Sequence, residues 1–264
     1  MQSMFIPPRA TPPVSGDFFK LLANNQRRVM LASLLGLTLL SWWYLLDMDM
    51  MAMMISGAWV PSDWLAMYLM WAIMMVAMML PSATPMILMY GLISPRRQPQ
   101  ANKLVASYVF MLGYLLAWAA FSGLATIAQW QLQQSALLTP MLESRSLLFS
   151  STVLLAAGIY QWAPVKDSCL QQCRSPVEHL TRHWLPGFSG AARMGFYHGM
   201  FCLGCCWLLM LLLFAGGVMN LLLIAALAIF VLLEKVLPSS WPVSRLSGAV
   251  LVVAGIGGLV KYLA

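Results

Sequence analysis

Long apolar segments recur along this chain and leave too little polar surface for a water-soluble fold. Of its 264 residues, 61% are hydrophobic and 9% are charged, whereas about 25% are charged in soluble domains. A helix needs about 20 apolar residues to cross a bilayer. We therefore predict an all-α integral membrane protein, a polytopic bundle of about seven transmembrane helices. The predicted helices cover approximately residues 29–46, 64–92, 103–128, 147–163, 193–215, 218–236 and 244–263.

Lysine and arginine residues lie almost entirely on one side of these predicted helices. Of the 15, only Arg145 and Lys261 lie on the other side, so the positive-inside bias predicts a cytoplasmic N-terminus. Residues 1–28 would form a cytoplasmic tail and residues 29–264 a single transmembrane domain, with a cytoplasmic loop at about 164–192. The net charge of +7 indicates contact with anionic lipid headgroups rather than with nucleic acid.

The predicted fifth helix contains an imidazole and three thiols at helical spacing. His198 is followed by Cys202, Cys205 and Cys206, so His198 shares a face with Cys202 and with one of the other two. Imidazole and thiolate ligands suit Cu(I), and zinc is a second possibility. Gly195 and Gly199 would let a neighbouring helix approach this face. Passive packing of buried cysteines is the alternative.

Methionine is concentrated in the predicted second helix and in the loop before it. Of 22 methionines, 13 lie between Met48 and Met89. Thioether sulfur is a weak, neutral ligand for Cu(I), although methionine is also a flexible filler of cores. The candidates for weak metal sites along the helix are Met70, Met74, Met75, Met78 and Met79, and Met48 to Met54 could collect or release an ion at the outer face.

Two prolines, Pro81 and Pro85, interrupt the same predicted helix, with Ser82 and Thr84 between them. Each proline removes a backbone donor, and the freed carbonyls must be buried in protein or line a cavity. The pattern is compatible with a simple kink or with a local unwinding that forms a site or gate.

Further candidate ligands lie outside the fifth helix. The predicted cytoplasmic loop contains Cys169 and Cys173, one helical turn apart, and the pair His179 and His183. Their separation is shorter than in zinc fingers, so we predict metal exchange or a thiol pair at the two cysteines. Glu234 is a carboxylate at membrane depth and hence a site candidate, although the adjacent Lys235 could pair with it.

The chain shows no phosphate-binding loop, nucleophile elbow or nucleotide fingerprint, so we do not expect an enzyme. Four stretches form a more specific pattern: WAIMMVAMMLPSATPM (71–86), YQWAPVKDSCLQQCRSP (160–176), GFYHGMFCLGCCWLLM (195–210) and GGVMNLLLIAALAIFVLLEKVLP (216–238). Together they resemble a bacterial family of predicted metal-binding integral membrane proteins, some of which are labelled copper chaperones. The resemblance implies a metal role for His198, Cys202, Cys205, Cys206, Met210, Cys169, Cys173 and Glu234. It does not extend to His179 and His183.

The leading hypothesis is therefore a multi-pass protein of the bacterial inner membrane that binds Cu(I) and delivers or moves it for copper enzyme maturation or copper homeostasis. Its expected partners are the metal ion, the lipid bilayer and a copper-receiving membrane or periplasmic protein. Two alternatives remain open: a membrane thiol–disulfide oxidoreductase cycling Cys169 with Cys173, and an accessory subunit of a larger membrane complex.

Overall fold

The structure is a computed structural model that describes residues 16–48, 59–97, 103–138, 144–175, 180–181, 184–237 and 242–264. Within these ranges the chain is almost wholly helical and contains no strand, which confirms the all-α prediction. The named helices are α1 (Gly16–Met48), α2 (Pro61–Arg97), α3 (Lys103–Gln134), α4 (Leu147–Tyr160), α5 (Pro164–Arg174), α6 (Gly187–Gly216), α7 (Leu221–Val236) and α8 (Val243–Leu263).

Local sequence explains where several of these helices begin and end. The Ser146 side chain accepts a hydrogen bond from the Phe149 amide at the start of α4, and Asn220 caps α7 through the Leu223 amide. Helix α5 begins at Pro164, a residue suited to the first helical turn, where no internal donor is needed. Gly217 follows α6 with a φ of 98°, a backbone conformation that favours glycine.

Five helices, namely α1, α2, α3, α6 and α8, are long and apolar enough to cross a membrane. Helices α4 and α5 qualify together as a sixth candidate, bent by 65° at the break between them. Helix α7 has 16 residues and rises about 24 Å, less than the roughly 30 Å hydrocarbon core. The described chain is thus compatible with a multi-pass membrane protein of five or six spans, while the count of seven and the orientation stay predictions.

Helix α6 lies at the centre of the bundle, in contact with α3, α4, α5 and α7. Helices α2 and α3 flank this centre, α1 packs on α2, and α8 packs on α4. Half of the apolar stretch of α2, α3 and α6 is buried, against 22% for α1 and 11% for α8. The chemistry-bearing helix therefore lies inside the bundle, and α1 and α8 present their apolar side chains outward.

The glycines of α6 allow the close packing of α3, as the sequence predicts. A Cβ atom on Gly195 would collide with the carbonyl oxygen of Phe110, and one on Gly199 would lie 2.6 Å from the Ala117 Cβ. Both contacts are with α3. Helix α2 reaches α6 near the C-terminal end of α6, where the Trp71 and Phe214 ring centroids are 5.2 Å apart.

The segment that follows α4 differs from the loop expected there. Residues 164–174 form α5, which packs against α6 and α7. Lys166 and Leu170 of this helix are buried, although its sequence is far more polar than that of the long helices. With 11 residues, α5 is too short to cross a membrane alone, so the hydropathy of the sequence did not predict this helix. His179 and His183 lie outside the described residues, as do Met50 to Met54.

Candidate metal centre

Helix α6 places all of its predicted ligands in the interior. His198, Cys202, Cys205, Cys206 and Met210 are buried, each with at most 2% of its surface exposed. Burial follows from the position of α6 between four other helices. Sulfur and imidazole groups are consequently shielded from both lipid and water, as the sequence predicts for a cluster pressed against a neighbouring helix.

Cys202 is the best-connected thiol of this helix. Its Sγ lies 2.9 Å from the Lys235 Nζ of α7 and 3.1 Å from the Tyr114 hydroxyl oxygen of α3. The thiols of Cys205 and Cys206 each donate to the Cys202 carbonyl oxygen, at 3.0 Å. Although adjacent residues diverge by about 100° around a helix, both of these thiols thus turn towards one point.

Helix α5 adds the remaining cysteines of the chain to the same place. The Cys173 side chain lies beside the side chains of Cys202 and Cys205, close enough to interact with both. Cys169 lies against Gly204, where a Cβ would come within 2.8 Å of its sulfur. The two cysteine sets, interpreted from the sequence as separate central and cytoplasmic sites, therefore form one group of five thiols, which we call the thiol cluster. None of the five is in a disulfide.

The thiols do not form a finished coordination shell. Among the described residues, no group of three or more His, Cys, Asp or Glu side chains has an arrangement that could hold a metal ion as it stands. The thiols of Cys205 and Cys206 donate to a backbone carbonyl, and the Cys202 thiol contacts Lys235 and Tyr114, since buried polar groups require partners. Binding a Cu(I) ion would replace these hydrogen bonds with sulfur–metal bonds, for which the donors have the right softness.

His198 is separated from the sulfur atoms by an aromatic ring. Its imidazole stacks on Tyr114 and on Phe110, with centroid distances of 5.6 and 6.2 Å. Tyr114 in turn reaches Cys202 through its hydroxyl group. The structure thus brings His198 to the edge of the thiol cluster through Tyr114, and its role as a direct ligand stays a prediction.

A chain of polar contacts surrounds the cluster and connects it to α2. The Lys235 ammonium group donates to the Ser82 hydroxyl at 2.8 Å as well as to Cys202. Ser82 and Tyr114 both donate to the Met79 carbonyl, at 2.9 and 3.1 Å. The contacts of Lys235 and Tyr114 with the cluster were not predicted from the sequence. A lysine at membrane depth is itself a signal of a functional site, and the expectation that it pairs with Glu234 is wrong.

Helix α2 runs without interruption through Pro81 and Pro85, so the local unwinding is wrong and a simple kink stays a prediction. The Met79 carbonyl accepts hydrogen bonds from Ser82 and Tyr114, although neither proline removes its helix donor, which is the amide of Ala83. The predicted methionine sites are buried in the bundle core: Met70, Met74, Met75, Met78 and Met79. Methionines would be buried both in a series of metal sites and in a packed apolar core, so the metal role of these residues stays a prediction.

The Glu234 carboxylate makes its hydrogen bonds with a lysine and a serine. It receives hydrogen bonds from the Lys166 ammonium group at 2.7 and 2.9 Å, and from the Ser244 hydroxyl at 2.7 Å. Lys166 also donates to the Gln161 side chain. The predicted ligand role of Glu234 therefore competes with a fully buried ion pair, in which the side chains are 0% and 1% exposed.

The fold and the cluster together define a class: a polytopic helical bundle with candidate membrane spans and thiols gathered inside it. Residues 68–257 match the family model PpoB2, described as a copper chaperone. This match covers most of the chain, including α5, α6 and α7, and the protein therefore belongs to the PpoB2 copper chaperone family. The resemblance inferred from the sequence motifs is confirmed. No curated protein and no solved structure matches the chain.

Proposed function

We propose that this protein binds Cu(I) at the thiol cluster in the bacterial inner membrane and delivers it to a copper-receiving membrane or periplasmic protein. The observation that carries the proposal is the convergence of all five cysteines, from α5 and α6, inside the bundle. Thiolates favour Cu(I) over the hard cations. In this role the protein is a metal-binding protein rather than an enzyme.

Charge supports a monovalent ion in this position. A Cu(I) ion with two thiolates has a charge of −1, and an isolated charge is costly inside a bilayer. The ammonium group of Lys235, 2.9 Å from Cys202, would compensate that charge. A divalent ion such as Zn(II) with the same two thiolates and Lys235 would leave a net positive charge, so the pair of ligands and the lysine suit Cu(I) better.

Delivery requires that the ion leaves as readily as it arrives. A cluster with more thiols than the two or three that Cu(I) needs offers several overlapping ligand sets, among which the ion can exchange. The buried methionines of α2 would provide weaker neighbouring positions, because a thioether binds less tightly than a thiolate. Movement then needs no hydrolysis of a nucleotide and depends on the acceptor.

The test is copper binding by the purified full-length protein, loaded with Cu(I) without oxygen and washed against a Cu(I) chelator. We expect Cys202→Ser and Cys173→Ser, on different helices, each to lose most of the retained copper. Met74→Leu together with Met78→Leu should keep it and slow its transfer to the chelator, whereas Met30→Leu, at a buried methionine of α1, should change neither. Unchanged copper content in both cysteine variants would contradict the central role of the cluster.

A second candidate is a thiol–disulfide oxidoreductase, favoured by the proximity of the Cys173 and Cys202 side chains, which belong to two helices. The two functions differ in a simple observable. Under mild oxidation the oxidoreductase would accumulate a Cys173–Cys202 disulfide that a dithiol reductant reverses, and Cu(I) would not be retained. Mass spectrometry of the intact protein, before and after copper loading, distinguishes the two outcomes.

A further inference from the structure

Both ends of α5 are attached to one residue of α7. Lys166, in the first turn of α5, makes the buried ion pair with the Glu234 carboxylate. Arg174, the last residue of the helix, donates from Nε and Nη2 to the Glu234 carbonyl oxygen, at 2.8 and 2.5 Å. A single residue thus holds α5 through its side chain at one end and through its backbone at the other.

The sequence explains why the Glu234 carbonyl is available. In a helix this oxygen would accept the amide hydrogen of the residue four positions later, and that residue is Pro238, which has no amide hydrogen. Helix α7 ends at Val236, so the carbonyl is one of the unpaired acceptors of a helix C-terminus. Arg174 supplies the missing donor with a charged group, which makes the hydrogen bond stronger than a neutral one.

The apolar contact of α5 is with α6. Leu170 is the one apolar side chain of α5 that is buried, and Cys169 and Cys173 are half-buried against the core. The helix is joined to α4 at a 65° bend. The closure of the thiol cluster on this side therefore depends on the polar contacts with Glu234 in addition to this apolar contact.

We propose that Glu234 and Lys166 are positioning residues that dock α5 over the thiol cluster, and that undocking of α5 opens the cluster for transfer of the ion. The docking itself is independent of any metal, and its meaning for ion transfer rests on the proposed function. Glu234 accordingly acts through Cys169 and Cys173 and is not a ligand. Local opening of a small, polar-attached helix requires much less free energy than global unfolding.

The docking is tested by thiol labelling of the metal-free, full-length protein in detergent, with the rate at each cysteine followed by peptide mass spectrometry. The test variant is Lys166→Met combined with Glu234→Leu, which removes both charges and so leaves no unpaired buried charge. We expect labelling of Cys169 and Cys173 to accelerate by about tenfold or more, because labelling follows the population of the opened state. Cys202, Cys205 and Cys206 should accelerate less.

Two controls make the result specific. Lys166→Arg keeps the positive charge and should keep labelling slow, and Asp167→Asn changes a charge on the exposed side of the same helix and should have no effect. Unchanged rates in the double variant would overturn the docking role. Equal acceleration of all five thiols would also overturn it, since Glu234 would then stabilise the whole bundle rather than α5.

A copper measurement separates this proposal from the proposed function. Wild-type and double variant are loaded with Cu(I), and release to a bathocuproine-type chelator is followed by absorbance. We expect faster release from the double variant. If wild-type retains no Cu(I) while the labelling rates change as expected, the docking stands and the copper function fails. If Cu(I) is retained but the double variant releases it at the wild-type rate, opening of α5 is not the transfer step.

Discussion

At the scale of single residues, three other helices reach the side chain of Cys202. Lys235 of α7 and Tyr114 of α3 contact its sulfur directly, and the Cys173 side chain of α5 lies beside it. Two further thiols donate to its backbone carbonyl. Because so many polar groups converge on one thiol in an apolar interior, each of them depends on the others for its partner. Cys202 is thus the residue whose replacement should disturb the cluster most.

Lys235 should determine how tightly Cu(I) is held. We expect Lys235→Met to lower the Cu(I) affinity by about tenfold or more. Opposite unit charges about 4 Å apart attract by roughly 4 kcal/mol at an effective dielectric constant of 20, and desolvation offsets part of that. The measurement is competition between the purified protein and a chromogenic Cu(I) chelator.

The matched variant for this prediction is Lys235→Arg, which retains the positive charge and should bind Cu(I) more tightly than Lys235→Met. Both variants must first elute as monodisperse protein, so that loss of folding is not taken for loss of affinity. Equal affinities of wild-type and Lys235→Met would refute the charge compensation.

At the scale of elements, the cluster exists because α3, α5 and α7 all approach α6 closely. Gly195 admits the α3 backbone, and Gly204 admits the Cys169 sulfur of α5. Small residues at such contacts are how helices associate in membranes, where lipid is as apolar as the side chains. The short helices α5 and α7 are connected by ions and hydrogen bonds instead, through Lys166 and Glu234.

Gly195→Ala should destabilise the α3–α6 contact. The new methyl group would overlap the Phe110 carbonyl, and the backbone shift needed to relieve such overpacking costs about 1–3 kcal/mol. Thermal unfolding in one detergent should show a lower Tm. Gly257→Ala, on α8 with nothing within 4 Å of the added atom, should leave the Tm unchanged or slightly higher because alanine favours helix. A similar decrease in both variants would contradict the close-packing explanation.

At the scale of the whole molecule, the cluster links helices that are distant along the chain, so metal binding should stabilise the entire bundle. A ligand that binds only the folded state stabilises it by RT ln(1 + [L]/Kd), which is about 2.7 kcal/mol at 100 times Kd. We therefore expect Cu(I) to raise the Tm of wild-type protein and a chelator to reverse the increase. The variant with all five cysteines changed to serine should show no copper-dependent shift.

One result would contradict the stabilisation of the bundle through the thiol cluster. If Cu(I) shifts the Tm of the five-serine variant as much as that of wild-type, the ion binds outside the thiol cluster, and the methionines of α2 become the main candidates. Zn(II) in place of Cu(I) should give the smaller shift, because with two thiolates and Lys235 it leaves an uncompensated positive charge.

The sequence alone determined the helical class, most of the long helices, the burial of the α6 ligands and the family. These features depend on local composition and on spacing along one helix, such as the turn between His198 and Cys202, which a sequence shows directly. The sequence left a simple kink and a local unwinding open at Pro81 and Pro85, since proline removes a backbone donor in both cases.

The tertiary structure decided which groups meet. It places Cys169 and Cys173 beside the α6 thiols, pairs Glu234 with Lys166 rather than with Lys235, and places Tyr114 between His198 and Cys202. Lys235 and Glu234 are adjacent in sequence but point to different partners, because successive residues of a helix differ by about 100°. Pairings of that kind depend on how whole helices pack, and no local pattern along the chain encodes them.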